Sequence, residues 1–258
     1  MAAILLDVDG VFHVSGEPIP GGAEAIRRLR EDGHRLRFIT NNTTRSRAQL
    51  AEELRAMGLD VHDEDLQTTP RAAARALAGK RVLALTMHAI VPDLEGIELV
   101  GEDAEAVLLG GADETPETNL VFSFMNLARA FQELEAGAVL YSLHKNRWWQ
   151  TKHGPLLDAG AFVAGLEYAA DTEAIVLGKP STAYFEAALA AVDGDAHMTW
   201  MVGDDIEADI AGAQRHGMKT VLVRTGKFRP DAVERGAIRP DGIVSSIAHL
   251  PDWLEENA

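Results

Sequence analysis

The sequence predicts an α/β protein in which helices cover both faces of a parallel sheet and a second, smaller α/β domain is inserted. Short apolar runs alternate with longer amphipathic stretches near both ends of the chain, as in strands joined by crossover helices. The same alternation recurs separately between about residues 80 and 171. The length of 258 residues suits one large domain or a core domain with an insert.

The predicted core domain takes elements from both ends of the chain. Apolar runs at residues 3–8 and 35–40 predict two strands, and apolar residues at helical spacing predict helices at 22–31 and 46–57, the second ended by Gly58. Further strands are predicted at residues 198–202, 220–224 and 242–244, with a helix at 207–216 that ends at Gly217. Residues 1–79 and 172–258 are therefore assigned to the core.

The middle of the chain carries its own set of elements. Strands are predicted at residues 82–86, 106–109 and 138–143, and one long helix at residues 118–135. No linker rich in Pro, Gly or Ser marks the edges of this block. We assign residues 80–171 to the inserted domain.

The composition excludes several classes of function. Lys and Arg number 24 against 40 Asp and Glu, a net charge of −16, so neither nucleic acid nor an anionic membrane is expected as a partner. The absence of cysteine excludes disulfides, Cys-ligated zinc and a thiol nucleophile. No apolar run approaches the ~20 residues of a membrane span, and residues 1–6 lack the character of a signal peptide, so we expect a cytoplasmic protein.

Polar side chains stand where the predicted core strands end. The first strand runs into Asp7 and Asp9, the second into Thr40, and a later one into Asp204. Because the carboxyl ends of parallel strands share one edge, where ligands bind, these side chains are expected to converge. Asp7 and Asp9 are two residues apart and point to the same side of an extended backbone. Taken alone, the pair fits an ordinary Asp-Gly turn equally well.

The converging carboxylates predict a bound cation. Without one, their mutual repulsion would keep one carboxyl group protonated. Oxygen ligands favour a hard cation, and Mg²⁺ suits a few carboxylates together with waters and phosphate. Asp209, five residues after Asp204, either orients one of the ligands or interacts with the dipole of its own helix.

Two further segments can bind an anion at the same edge. Residues 40–44 join a strand to a helix, where hydroxyl and backbone N–H groups can hold an anion, although N-capping by Thr44 or Ser46 is the alternative. Lys179 precedes another helix. It either brings a positive charge to this edge or is a solvated surface residue.

Four motifs, in this order, resemble those of the haloacid dehalogenase-like hydrolase superfamily. They are an Asp-x-Asp-Gly motif at residues 7–10, a Thr motif at 38–42, a Lys motif at 176–181 and an acidic motif at 202–210. Residues 40–47 resemble those of phosphatases with a large α/β cap inserted between the second and third motifs. Residues 144–149, 165–169, 212–214 and 225–228 are similar to the phospholysine/phosphohistidine/inorganic pyrophosphate phosphatase group and its haloacid dehalogenase-like domain-containing 2 relatives.

This resemblance, which covers nearly the whole chain, implies a Rossmann-like catalytic core with an inserted α/β cap domain. It implies Mg²⁺-dependent hydrolysis of small phosphate compounds through an aspartyl phosphate, with Asp7 as nucleophile and Asp9 as general acid and base. The implied metal ligands are the Asp7 carboxylate, the Asp9 backbone carbonyl and the Asp204 carboxylate, and the implied phosphate ligands are Thr40, the Asn41 backbone and Lys179.

Other functions share this pattern of residues. A phosphotransferase or mutase would use the same aspartyl phosphate. An inactive phosphatase-like binding protein would lack at least one of four charged side chains. All four are present, namely Asp7, Asp9, Lys179 and Asp204. The resemblance also suggests a homodimer through the cap. Separately, residues 144–149 join basic, amide and aromatic side chains after a predicted strand, which makes His144 and Asn146 candidate contacts to the leaving group.

Overall fold

The computed structural model describes residues 1–151 and 153–257. The strands, in chain order, are β1 (Ala3–Asp7), β2 (His13–Val14), β3 (Glu17–Pro18), β4 (Arg35–Thr40), β5 (Leu66–Thr68), β6 (Arg81–Thr86), β7 (Glu98–Leu99), β8 (Ala106–Gly110), β9 (Val139–Ser142), β10 (Trp148–Thr151), β11 (Gly154–Leu157), β12 (Ile175–Val176), β13 (Thr199–Gly203), β14 (Lys219–Val223) and β15 (Gly242–Val244). The α-helices are α1 (Gly22–Glu31), α2 (Arg47–Ala56), α3 (Thr69–Ala76), α4 (Pro116–Val121), α5 (Phe124–Glu135), α6 (Gly160–Ala169), α7 (Thr182–Ala191), α8 (Gly212–Gln214), α9 (Pro230–Arg235) and α10 (Leu250–Asn257). Short 3₁₀ helices span Asp63–Asp65, His88–Leu94, Ala196–Met198 and Ile247–His249, and a π-helix spans Ile206–Ala211.

The larger sheet has the strand order β15-β14-β13-β1-β4-β5, with every neighbouring pair parallel. All five residues of β1 are buried. Alternate side chains of β1 enter two apolar layers, since Ile4 and Leu6 pack with α1, α2 and α10 whereas Leu5 packs with α7. Burial on both faces explains why this strand is apolar from Ala3 to Leu6.

The register of this sheet brings its polar ends to one level. Asp7 pairs with Ile39, and Leu6 pairs with Val202. Thr40 on β4 therefore lies one residue beyond the level of Asp7. Asp204, which follows β13, also lies one residue beyond the level of Asp7, on the other side of β1.

The smaller sheet has the order β12-β9-β8-β6-β7 and is also parallel. Val107 and Leu109 of β8 face α5 and α6, whereas Ala106 and Leu108 face α3 and the 3₁₀ helix His88–Leu94. The predicted α/β class with parallel sheets is confirmed. The boundaries of the inserted domain at residues 80 and 171 stay a prediction, and β12 pairs with this sheet from just beyond the second boundary. We refer to residues 80–171 as the cap region.

Two helices differ from the sequence prediction. Residues 118–135 form two helices, because α4 ends at Val121 and the Ser123 hydroxyl then accepts the N–H of Asn126 to begin α5. The helix predicted at 207–216 begins as the π-helix, in which the N–H of Ile210 donates to the carbonyl of Asp205 at 3.2 Å. In the part of the chain that the structure describes, no helix is both long and apolar enough to cross a membrane.

Candidate active site

The carboxyl ends of the core strands and the cap region enclose a pocket that contains nearly all the predicted site residues. The core contributes Asp7, Asp9, Asn41, Lys179 and Asp204 to its lining. The cap region contributes Ala112, His144, Asn146, Trp149 and Asp158. Thr40, the remaining predicted residue, is wholly buried and contacts Asp9. The structure therefore brings together all six residues for which the sequence predicted a catalytic, metal-binding or phosphate-binding role.

Three buried carboxylates form the centre of the site. Oxygen atoms of Asp7, Asp204 and Asp209 lie within 4.8 Å of one another. Glycine makes room for this approach, because a Cβ atom on Gly10 (φ 83°) or Gly226 (φ 57°) would overlap the Asp204 carboxylate. The three carboxylates supply only oxygen donors and more negative charge than nearby lysine can offset. This donor set fits a hard cation such as Mg²⁺.

Lys179 provides the positive charge within this cluster. Its ammonium lies 2.7 Å from Oδ1 of Asp7 and 2.7 Å from Oδ1 of Asp209, and the residue is only 2% exposed. Burial by itself would lower the pKa of Lys179, but the carboxylates of Asp209 and Asp7 outweigh burial and raise it. Lys179 is therefore a buried cation and not a solvated surface residue.

The sequence left the role of Asp209 open between orienting a ligand and interacting with its helix dipole. One of its oxygens binds the Lys179 ammonium, and Oδ2 accepts the N–H of Asp205 at 3.1 Å. Its side chain is fully buried. Asp209 therefore orients the lysine and the turn after β13, which goes beyond an interaction with its helix dipole.

The carboxylates bind protons tightly when no cation is present. Burial raises the pKa of Asp7 well above its usual range, and the neighbouring Asp209 carboxylate raises it further. Burial also raises the pKa of Asp204 to about 8, again with Asp209 as the next cause. A cation among these oxygens favours their ionised forms, so metal binding is expected to release protons.

Asp9 differs from Asp7 because it is open to the pocket. Its side chain is 49% exposed, and its Oδ2 accepts the hydroxyl proton of Thr40 at 3.1 Å. The Thr40 oxygen accepts the N–H of Asn42 at 2.8 Å, which leaves its own proton for Asp9. A carboxyl group that is accessible and held through one oxygen is suited to exchange a proton with a bound molecule.

Asn41 connects the Thr motif to the Lys motif. Its Nδ2 donates to the carbonyl of Lys179 at 2.9 Å, and its Oδ1 accepts the N–H of Lys179 at 2.8 Å. Because its amide is used in this way, the backbone of Asn41 is the part suited to contact a phosphate. The alternative role, N-capping of the next helix, applies to Ser46, which caps α2 by accepting the N–H of Gln49 at 3.2 Å.

Sequence reasoning missed Lys227. Its backbone N–H donates to Oδ2 of Asp204 at 2.6 Å, and its ammonium lies 3.2 Å from Oδ2 of Asp205. Burial would lower the pKa of Lys227, but the Asp205 carboxylate raises it. Its position was the available signal, since Gly226 and Lys227 follow the end of β14 at the same sheet edge.

His144 connects the cap region to the core. Its Nε2 lies 3.1 Å from Oγ1 of Thr43 and 3.7 Å from Oδ1 of Asp158, and its Nδ1 accepts the N–H of Asn146 at 3.3 Å. His144 is 2% exposed, and burial lowers its pKa. Both ring nitrogens have protein partners, so Asn146 is the more available of the two candidate contacts to a leaving group.

Comparisons with known proteins agree with this geometry. A family model described as haloacid dehalogenase-like hydrolase matches residues 4–99, and one described as HAD-hydrolase-like matches residues 176–250. The chain is similar to the phospholysine phosphohistidine inorganic pyrophosphate phosphatase of Xenopus laevis, with 38% identity over 98% of this chain and 94% of that protein. The family resemblance expected from the motifs is confirmed.

Two solved structures show the same architecture. The p-nitrophenyl phosphatase from Archaeoglobus fulgidus is 28% identical, with a TM-score of 0.88 over 98% of each chain. The glycerol phosphate phosphatase from Mycobacterium tuberculosis, solved in complex with magnesium, is 29% identical. Its TM-score is 0.83 over 96% of this chain and 76% of that one.

Proposed function

Because the chain belongs to the haloacid dehalogenase-like hydrolase family and is a phosphatase of that family, we propose that it hydrolyses small phosphate compounds through an aspartyl phosphate on Asp7, with Mg²⁺ as cofactor. One observation carries the proposal. The buried carboxylate of Asp7 is held 2.7 Å from the Lys179 ammonium, beside the pocket-facing carboxyl group of Asp9.

We expect Asp7 to attack the phosphorus atom of the substrate. Its Oδ1 accepts the N–H of Val8 at 2.7 Å and also contacts Lys179. Both contacts fix the orientation of the carboxylate and leave Oδ2 to form the new bond to phosphorus as the bond to the leaving oxygen breaks. The phosphate oxygens would contact Thr40, the Asn41 backbone and Lys179.

Asp9 completes the reaction as a proton donor and acceptor. It would protonate the departing oxygen in the first step. In the second step the resulting carboxylate would take a proton from the water that attacks the aspartyl phosphate. A dehalogenation needs no such acid, so the presence of this second carboxyl group supports phosphate chemistry.

The proposed Mg²⁺ ligands are the carboxylates of Asp7 and Asp204 and the backbone carbonyl of Asp9. When bound, Mg²⁺ would offset the repulsion between the nucleophile and the phosphate and would stabilise negative charge in the transition state. Lys179 would also stabilise the negative charge of the transition state, and its ion pair with Asp209 holds it in position. The mycobacterial relative was solved in complex with magnesium and in complex with calcium, which supports a hard divalent cation at this site.

Three narrower statements remain proposals. Hydrolysis is preferred to transfer onto another acceptor because the similar proteins bear phosphatase names. The homodimer through the cap region is supported by the exposed apolar side chains of Leu120, Phe124 and Met125 on α4 and α5. The cytoplasmic location stays a prediction of the sequence.

Replacement Asp7→Asn tests the proposed nucleophile. The amide is nearly isosteric but lacks the anionic oxygen, so p-nitrophenyl phosphate turnover should fall by about 10³-fold or more while the protein stays folded. Asp193→Asn is a matched control, because that carboxyl group is exposed, lies outside the pocket lining and has a positive φ of 44° that Asn tolerates. Turnover of Asp7→Asn within tenfold of the control would exclude Asp7 as the nucleophile.

A further inference from the structure

His13 is a buried polar residue that the proposed mechanism does not use. It lies in the short hairpin of β2 and β3 and lines the active-site pocket, with its side chain 9% exposed. Its Nε2 is buried and, among the described residues, has no hydrogen-bond partner. A buried nitrogen without a partner is costly, so a contact that pairs it during function would be favourable.

The contacts of the ring determine where its proton lies. Nδ1 accepts the backbone N–H of Gly16 at 3.4 Å, so Nδ1 carries no proton. In the neutral ring the proton is then on Nε2, which is a donor. The nearest carboxylate oxygen to this donor is Oδ1 of Asp9, at 3.8 Å.

The backbone ties the hairpin to Asp9. The N–H of Gly10 donates to the carbonyl of His13 at 2.8 Å, and Asp9 and His13 form a β-bridge. The other oxygen of Asp9 is already held by the Thr40 hydroxyl. Asp9 thus has a donor on one oxygen and an unpaired donor facing the other, slightly beyond hydrogen-bond length.

We propose that His13 is a positioning residue for Asp9, donating a hydrogen bond from Nε2–H to Oδ1 when a substrate occupies the pocket. The inference rests on the proposed function, in which Asp9 passes a proton to the leaving oxygen. His13 and Thr40 together fix the plane of a side chain that is otherwise half exposed. The bond strengthens as negative charge develops on Asp9, so it stabilises the transition state more than the bound substrate.

The role of His13 therefore depends on the leaving group. A poor leaving group needs the proton from Asp9, whereas the acidic p-nitrophenol departs with little help. The informative measurement is kcat/KM, which reports the first chemical step, across a series of phenyl phosphates with progressively less acidic phenols. Loss of His13 should steepen the dependence of kcat/KM on the acidity of the phenol.

The variants His13→Met and His13→Gln form a matched pair, since the two side chains have similar size and only Gln keeps an N–H donor. Met should lower kcat/KM for phenyl phosphate about tenfold more than for p-nitrophenyl phosphate, the effect of one hydrogen bond to a charged group. Gln should restore part of that difference. Glu17→Gln, an exposed change in the same hairpin, should behave as the wild type.

The outcomes are distinct. Equal loss for all substrates in both variants, or no loss in Met, would overturn the role of His13 while leaving the proposed function intact. A wild-type protein without phosphatase turnover would overturn both. If the variants do not fold, ¹⁵N NMR of the histidines in the wild type gives an independent test, and a proton found on Nδ1 of His13 would also overturn the proposal.

Discussion

The replacement Gly10→Ala would place a methyl group where the Asp204 carboxylate now lies. Gly10 has a φ of 83°, and an added Cβ would overlap both Oδ2 and Cγ of Asp204. The carboxylate could make room only by leaving its 2.6 Å contact with the N–H of Lys227 and its place beside Asp7. The left-handed backbone costs about 1–2 kcal/mol for Ala, and the overlap adds about 1–3 kcal/mol.

Gly96→Ala separates these two costs. Gly96 has nearly the same φ, 88°, is exposed, and an added Cβ there would meet nothing within 4 Å. Urea unfolding should show the backbone cost alone for Gly96→Ala and about 1–3 kcal/mol more for Gly10→Ala. Mg²⁺ titration of p-nitrophenyl phosphate turnover should give at least a ~10-fold higher midpoint for Gly10→Ala only. Equal unfolding losses and equal midpoints for the two variants would refute the proposed arrangement of Asp204.

Two more predictions concern the cation and the cap region. Burial raises the pKa of Asp204 to about 8 in the folded, metal-free protein, against about 4 in the unfolded chain, so the unfolding free energy should fall as pH rises through this window. Asp204 contributes at most ~1.4 kcal/mol per pH unit, and Asp7, whose pKa is also raised, adds to the fall. Excess Mg²⁺ should abolish that fall, and a fall that persists with Mg²⁺ in urea titrations would contradict a metal site at Asp204. Asn146→Ala should shift the kcat/KM ratio between substrates by about tenfold, whereas His144→Ala, whose nitrogens both bind protein atoms, should lower all substrates alike. A substrate panel run on both variants checks this, and an unchanged ratio in Asn146→Ala would remove that residue from substrate selection.

The core of the site was predictable because its residues follow buried strands. Asp7, Thr40 and Asp204 each come at the end of an apolar run, and the rule that parallel strands end at one edge brings them together. Lys179 does not follow a core strand, so its position before a helix left two interpretations open, and the order of the motifs was needed to assign it to the site. Its burial and its two carboxylate contacts became visible only in the folded chain.

What sequence reasoning missed depends on contacts that only the folded chain shows. Ser123 lies inside a run with helical spacing, and only its capping contact shows that one predicted helix is two. The role of Asp209 depends on a π-helix, which the spacing of apolar residues in the sequence does not indicate. The role of His13 depends on a tautomer, which leaves no pattern in the sequence, whereas the position of Lys227 after the end of β14 was a signal that sequence reasoning did not use.

Trapping the covalent intermediate tests whether Asp7 is the nucleophile. Enzyme mixed with excess substrate and Mg²⁺ is quenched in acid, reduced with borohydride, digested and analysed by mass spectrometry. Borohydride converts an aspartyl phosphate to homoserine, so we expect homoserine at position 7 in the wild type and none in Asp7→Asn. Homoserine at another carboxylate, or its absence from position 7 in enzyme that is turning over and accumulates a phosphoenzyme, would contradict it.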